Sequence, residues 1–285
     1  MNTPLSRRTV TVSMLAGAAA VGAGGLARAT PAQATTGTTT PAAADATQPT
    51  IVLAHGAFTD ASSWTSVVKK LLKHGHRVVA PPVPLRGVAS DAAYLRSVLD
   101  SIEGPVVLVG HSYGGSVISR AAVGAAHVKA LVYIAAFVPD VGESAAELTD
   151  KFPGSSLSRT TVTQKYPLTG GGQGDELLIR QDLFHRQFAA GIPRVTADTL
   201  AVGQRPITVA ALQEPATAAA WKKLPTWYLI ATEDRNIPPA AQRWMATRAK
   251  ARTVAVHAPH AVAVSDPRAV TDIIRNAARS VRSSR

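Results

Sequence analysis

From residue 50 onward, the chain alternates short apolar runs with longer segments in which apolar residues recur every three or four positions. A short continuous apolar run is typical of a strand buried on both faces, and the wider spacing indicates an amphipathic helix. The alternation predicts an α/β fold whose open, mainly parallel sheet has helices on both faces, because parallel strands need crossover connections. The six predicted strands are 51–54, 77–80, 106–109, 128–135, 226–231 and 253–256.

The regular alternation stops between residues 139 and 220. This stretch contains several prolines, three consecutive glycines at 170–172 and scattered apolar residues. It follows the fourth predicted strand, so it begins at the sheet edge where open α/β proteins bind ligands. We therefore predict a lid over an apolar pocket, with Phe184 and Phe188 in contact with substrate. Phe58, in the loop after the first strand, is predicted to join them.

The first 34 residues have the layout of an export signal. Arg7 and Arg8 precede 19 residues without charge, and small-residue cleavage patterns follow at 27–29 and 32–34. A charged start, an apolar middle and an A-x-A site are typical of such signals, and adjacent arginines resemble the twin-arginine type. The uncharged stretch is rich in Ala and Gly and would insert poorly as a permanent anchor. We predict a secreted protein without a stable membrane anchor.

Residues 35–49 are almost entirely Thr, Ala and Pro, a composition that predicts a disordered linker. Residues 50–285 are then left as one folded domain. With 46% hydrophobic and 17% charged residues in the whole chain, this domain has enough apolar material for a large core.

Composition also excludes several kinds of chemistry. The chain has no cysteine, which removes disulfides, thiolate metal sites, iron–sulfur clusters and a cysteine nucleophile. The net charge is +12, but aromatics are only 5% and no basic run is interleaved with them, so we predict no nucleic-acid partner. The glycine-rich segment 170–174 follows no predicted strand, so it does not predict a phosphate-binding loop. His257 and His260 lack a third ligand, so they do not predict a metal site. We expect neither a cofactor nor a metal.

Candidate chemistry begins with the sequence Gly110-His111-Ser112-Tyr113-Gly114, placed between the third strand and its helix. A serine that ends a strand and opens a helix takes a strained backbone conformation, which projects its hydroxyl out of the sheet. Neighbours two positions away crowd such a turn, which explains glycine at both ends. The N-terminus of the next helix lies beside any negative charge that develops there. We predict Ser112 as a nucleophile.

A serine nucleophile needs a base, and the base needs an orienting acid. Asp234 follows the fifth strand and His260 follows the sixth, so both lie at the same sheet edge as Ser112. The chain order Ser, Asp, His is that of α/β-type hydrolases. We predict that these three residues form a catalytic triad, with Glu233, Asp140 and His257 as competing assignments.

Three linked motifs make the chain resemble the α/β-hydrolase family over essentially all of residues 50–281. They are His55-Gly56-Ala57-Phe58, the glycine-rich run 110–115, and Asp234-x-x-Ile237-Pro238 followed by His260. The sequence is similar to small bacterial hydrolases, plant methyl-ester esterases and hydroxynitrile lyases. The resemblance implies the strand order 2-1-3-4-5-6 and an oxyanion hole formed by the backbone N–H groups of Ala57 and Tyr113.

Two departures within this resemblance favour ester hydrolysis. Ser112 stands where epoxide hydrolases and haloalkane dehalogenases have Asp, and Ala261 stands where the related lyases have Lys. We therefore expect a serine hydrolase acting on small or medium carboxylic esters. A cofactor-free perhydrolase or lyase using the same triad, and a non-catalytic ligand-binding homologue, remain open alternatives. The sequence leaves open the acyl and alcohol groups and the oligomeric state.

Overall fold

The computed structural model describes residues 48–283. The predicted export signal (1–34) and the predicted linker (35–49), apart from its last two residues, lie outside this range. Within it, no helix is both long enough and apolar enough to cross a membrane.

Six parallel strands form the central sheet, and their order across it is 2-1-3-4-5-6 when these six are numbered along the chain. The predicted sheet and its order are therefore confirmed. Each predicted strand is found within about two residues of its expected bounds. The strands are β1 (Thr50–Ala54), β2 (Val78–Val79), β3 (Val106–His111), β4 (Val128–Ile134), β8 (Thr226–Ala231) and β9 (Arg252–Val256).

Helices cover both faces of this sheet. Successive strand residues point to opposite sides, so the inner strands have apolar residues on both faces that the helices bury. Val52 and Leu108 pack into one apolar cluster, while Ile51 and Val107 pack into the other. The first cluster includes residues of α2 (Val88–Asp100), α3 (Gly114–Ala121) and α9 (Pro239–Arg248). The second includes residues of α1 (Thr65–Lys73), α10 (Val262–Ser265) and α11 (Pro267–Ser283).

The insertion between β4 and β8 contains a small antiparallel sheet that the sequence does not predict. Its strands are β5 (Thr161–Pro167), β6 (Gln173–Ile179) and β7 (Ile207–Thr208), and the glycine run at 170–172 forms the turn from β5 to β6. All three glycines have positive φ, the conformation that glycine adopts without strain. The insertion helices are α4 (Ala145–Asp150), α5 (Leu157–Thr160), α6 (Gln181–Phe188), α7 (Arg194–Val202) and α8 (Val209–Gln213).

The insertion is joined to the loop before α2. The Thr208 N–H donates to the Leu85 carbonyl at 3.1 Å, and the Thr208 hydroxyl donates to the Arg86 carbonyl at 3.0 Å. The Arg86 guanidinium also forms an ion pair with the buried carboxylate of Glu176 on β6. These bonds fix the small sheet against the body of the domain.

Candidate active site

Ser112 occupies the tight turn between β3 and α3 with a φ of 53°. This left-handed conformation is uncommon for a residue with a side chain, and it is the strained turn that the sequence predicts. A Cβ at Gly110 would lie 2.7 Å from the Gly114 carbonyl oxygen, and one at Gly115 would lie 2.2 Å from the Phe137 carbonyl oxygen. The turn therefore closes only because these positions are glycine.

Ser112, His260 and Asp234 form a continuous hydrogen-bonded chain. The distance from Ser112 Oγ to His260 Nε2 is 2.9 Å, and that from His260 Nδ1 to Asp234 Oδ2 is 2.6 Å. The three side chains come from the ends of β3, β8 and β9 and are almost entirely buried. In this geometry, His260 is placed to take the serine proton while the carboxylate orients its ring.

Asp234 is held by four hydrogen bonds, three of them from groups other than His260. Its Oδ1 accepts from the backbone N–H groups of Asn236 at 2.7 Å and Ile237 at 3.0 Å, and its Oδ2 accepts from Gln242 Nε2 at 2.7 Å. The Gln242 side-chain oxygen accepts from the N–H of Ala231, the last residue of β8. These bonds fix the plane of the carboxylate.

Gln242 is a residue that sequence analysis missed. It is fully buried on α9, on the same side as Ala241 and Met245. The available signal was a glutamine at helical spacing with the apolar residues Ala241 and Met245, eight positions after the orienting acid. Its position lets one amide contact both the end of β8 and the carboxylate.

The competing residues lie away from this chain. Asp140 forms an ion pair with Lys222. Glu233 and His257 face each other at 3.4 Å with largely exposed side chains. None of them makes a hydrogen bond to Ser112 or His260 within the part of the chain that the structure describes.

Ala57 and Tyr113 line the cavity that contains Ser112. The backbone N–H group of neither residue donates a hydrogen bond to an acceptor among residues 48–283. A Cβ at Gly56 would lie 2.5 Å from the Ser112 Cβ, so the loop after β1 packs directly on the nucleophile. Two backbone N–H donors beside a serine hydroxyl are the groups from which an oxyanion hole is built.

The Tyr113 side chain is fully buried and anchors the residue that follows Ser112. Its hydroxyl donates to the buried Asp91 carboxylate at 3.0 Å, and the Arg86 N–H donates to the same carboxylate. Burial raises the pKa of Asp91, and burial also raises the pKa of Tyr113. The backbone N–H of Tyr113 is thereby held in one orientation.

Two buried histidines support the site without joining the hydrogen-bonded chain. His55 Nε2 accepts from the Val83 N–H at 2.8 Å, so its Nδ1–H donates to the Gly56 carbonyl at 2.9 Å. His111 Nε2 donates to the His260 carbonyl at 2.9 Å. Burial lowers the pKa of His55 from 6.5 to about 4 and that of His111 to about 3. Both rings are therefore neutral at pH 7.

These two neutral rings make the folded protein sensitive to acid. The unfolded chain binds protons at them from about pH 6.5 downward, whereas the folded protein does so only near pH 4 and pH 3. Their contribution to stability is complete above pH 6.5 and is lost as the pH falls. We expect the free energy of unfolding to drop by about 2 kcal/mol per histidine between pH 8 and pH 5, measured by urea denaturation.

Two substitutions separate this effect from other titrations. His111→Gln keeps an amide donor for the His260 carbonyl, and it is expected to reduce the pH dependence of stability by the share of one histidine. The matched substitution His257→Gln removes a histidine whose side chain is 86% exposed, and it should reduce the pH dependence less than His111→Gln does. An equal pH dependence in all three proteins contradicts the prediction.

Ser112 opens into a cavity of about 190 Å³. Phe58 lines this cavity, whereas Phe184 and Phe188 do not. Their aromatic rings pack against each other in the interior, so the expectation that they contact substrate differs from their observed positions. The other apolar residues in the wall are Phe137, Ala146, Leu157, Leu177, Leu212 and Ile237.

Phe188 instead supports the catalytic histidine candidate. Its ring meets His260 edge-on with 5.0 Å between the ring centres, and its carbonyl accepts from the Ala261 N–H at 2.9 Å. The insertion also contacts the loop after β1, because the Phe58 N–H donates to the Arg205 carbonyl at 3.1 Å. The insertion therefore positions two parts of the site.

A larger, open groove of about 630 Å³ lies elsewhere on the surface. It is lined by the first residues of β4 and by residues that precede β4 and β8, so it lies at the opposite edge of the sheet from Ser112. Its polar side chains are two lysines, Lys129 and Lys223, and it holds no serine, histidine or carboxylate. We therefore place the candidate chemistry in the smaller cavity.

A doubly wound sheet with a serine in a strained strand-to-helix turn is the architecture of α/β hydrolases. A model of the alpha/beta hydrolase family matches residues 51–273. The chain belongs to the alpha/beta hydrolase family, and both the predicted family and the predicted fold class are thereby confirmed.

Individual relatives agree with this assignment. An alpha/beta hydrolase, nvfD, of Aspergillus novofumigatus is 27% identical over 81% of this chain and 97% of its own length. Methylesterase 1 of Arabidopsis thaliana is 26% identical over 68% of this chain and 81% of its own length. The crystal structure of polyneuridine aldehyde esterase superposes with a TM-score of 0.70 at 20% identity, covering 80% of this chain and 98% of that one. These relatives support the prediction of a hydrolytic enzyme.

Proposed function

We propose that the protein is a serine hydrolase that cleaves small or medium carboxylic esters through an acyl-enzyme. The observation that carries this proposal is the hydrogen-bonded chain Ser112–His260–Asp234, which ends at a hydroxyl facing a cavity. Ala57 and Tyr113, whose backbone N–H groups donate to no acceptor among residues 48–283, line the same cavity. The methylesterase and esterase relatives support the same reaction type.

The proposed reaction has two halves. His260 Nε2 takes the Ser112 proton as Oγ attacks the ester carbonyl, and the N–H groups of Ala57 and Tyr113 stabilise the oxyanion. The imidazolium returns that proton to the departing alcohol, leaving an acyl group on Ser112. Water then loses a proton to His260 and attacks the acyl carbonyl, and the carboxylic acid leaves as Ser112 regains its proton. Asp234 stabilises the imidazolium in both halves.

The size of the cavity supports a small substrate. At about 190 Å³ it is smaller than the roughly 300–1,000 Å³ typical of pockets for drug-sized ligands. Its wall is mainly apolar, which suits an alkyl or aryl group beside the scissile carbonyl.

A series of aryl esters with acetyl, butyryl, hexanoyl and octanoyl groups tests this proposal. We expect hydrolysis to be fastest for a short or medium acyl group and to decline for octanoate. A fluorophosphonate should inactivate the enzyme and add its phosphonyl group to the peptide containing Ser112, detected by mass spectrometry. A folded protein that hydrolyses none of these esters and is not modified at Ser112 contradicts the proposal.

A further inference from the structure

One wall of the cavity carries an acidic residue for which the proposed hydrolytic mechanism has no use. Asp150 is the last residue of α4, and it lines the same cavity as Ser112. Its side chain is exposed to solvent at the cavity wall. A carboxylate in this position adds a negative charge to a site that is otherwise lined by neutral groups.

Asp150 differs from almost all other carboxylates of residues 48–283 in having no partner. Its acidic neighbours are all engaged, Asp140 with Lys222, Glu143 with Arg248 and Glu147 with the α4 N-cap Ser144. Among the described carboxylates, Glu103 and Asp150 alone make neither a hydrogen bond nor an ion pair. Of these two, Asp150 lines the cavity that contains Ser112, and Glu103 does not.

The fold itself gains little from this acid. Asp150 lies at the C-terminal end of α4, where the helix dipole disfavours a negative charge. The next residue, Lys151, places its ammonium group 4.7 Å from the centre of the Trp244 ring rather than on Asp150. Asp150 is thus an unpaired acid at the unfavourable end of a helix, and it lines the cavity that contains Ser112.

The surrounding wall suits a cationic group that carries alkyl substituents. Thr149, Ser155 and Ser158 line the cavity together with Asp150 and supply hydroxyl oxygens, while Leu157 and the other apolar residues supply nonpolar contact. A quaternary or protonated amine needs both features, a negative charge and apolar surface for its carbon atoms. A neutral alkyl group uses only the second.

We infer that Asp150 determines specificity by attracting substrates that carry an ammonium group at some distance from the scissile ester. This inference rests on the proposed esterase function and narrows its substrate class. It predicts that a cationic ester is hydrolysed with a higher kcat/KM than an uncharged ester of the same shape. Since the interaction lies at a solvent-exposed wall, we expect a preference of about fivefold at low salt.

The test compares pairs of esters in which a tert-butyl group replaces a trimethylammonium group. The first pair carries this group in the alcohol, as acetylcholine and its tert-butyl isostere. The second carries it in the acyl chain, as the methyl esters of trimethylammonio-butanoic acid and its isostere. We expect the cationic member of at least one pair to be preferred by the wild type, and the preference to weaken at high salt.

Asp150→Asn should bring the ratio of kcat/KM values within the preferred pair close to one. Glu103→Gln is the matched control because it removes the other unpartnered, exposed carboxylate, which lies outside the cavity. It should leave the ratio as in the wild type. If Asp150→Asn and wild type have the same ratio in both pairs, Asp150 does not select the cation and the inference fails.

The outcome for the neutral esters distinguishes this failure from failure of the proposed function. Hydrolysis of the neutral esters without any preference for the cationic ones would overturn the specificity inference and leave the esterase proposal standing. Absence of hydrolysis for all four esters and for the aryl series would overturn both.

Discussion

We expect Ser112→Ala to lower kcat for the best aryl ester by about 10⁴- to 10⁶-fold. The Ser112 hydroxyl is the group that lies 2.9 Å from His260 Nε2 and faces the cavity, so alanine removes the atom that would carry the acyl group. The backbone donors of Ala57 and Tyr113 remain, and they leave a small residual activity with water as the nucleophile. Steady-state hydrolysis measurements at high enzyme concentration detect this residual activity.

Ser66→Ala is the matched control for this substitution. Ser66 is exposed on α1, and removing its hydroxyl should leave kcat within about twofold of the wild type. Unfolding curves for both variants establish that they remain folded. Retention of more than about a tenth of wild-type kcat by Ser112→Ala contradicts the acyl-enzyme mechanism.

Asp234→Asn is expected to reduce kcat by about 10³- to 10⁴-fold, because it reverses the tautomer of His260. Asp234 Oδ1 accepts from two backbone N–H groups, so the amide oxygen of Asn must occupy that position. The amide NH₂ then takes the place of Oδ2 and points a hydrogen at His260 Nδ1. The imidazole accepts this hydrogen bond only with its own proton on Nε2, facing Ser112, where it cannot act as a base.

The same amide would also face the side-chain NH₂ of Gln242, which now donates to Oδ2 at 2.7 Å. We therefore expect some loss of stability, measurable by urea denaturation, in addition to the loss of activity. Asp100→Asn makes the same chemical change at an exposed residue paired with Arg96, and it should leave kcat unchanged. A loss of less than about tenfold for Asp234→Asn would remove this carboxylate from the mechanism.

The central sheet is predictable because its strands are continuous apolar runs. Residues 106–109 and 226–231, for example, are buried on both faces, and their short length between helical segments favours a strand over a buried helix. The edge strand β2 is shorter than predicted, with only Val78 and Val79 paired to β1. Ser112 is also predictable as the turn residue. The tight turn requires glycine at the positions around it for steric reasons, and these glycines are visible in the sequence.

The insertion is not predictable in the same way. Most residues of β5 are exposed, and its sequence Thr-Val-Thr-Gln-Lys-Tyr-Pro lacks a clear apolar face. Its pairing with β6 is visible only in three dimensions. Phe184 and Phe188 illustrate the consequence, because an aromatic residue in a predicted lid indicates burial but not whether it contacts substrate or packs against a histidine.

The contacts of the insertion with the site have a consequence for substrate entry. Phe188 supports the His260 loop, and the Arg205 carbonyl accepts a hydrogen bond from the loop that contains Ala57. If the whole insertion moved away from the sheet as a rigid body, the proposed base His260 and the proposed oxyanion donors would both lose a supporting contact during substrate entry. Substrate entry that preserves the site therefore requires both contacts to stay in place.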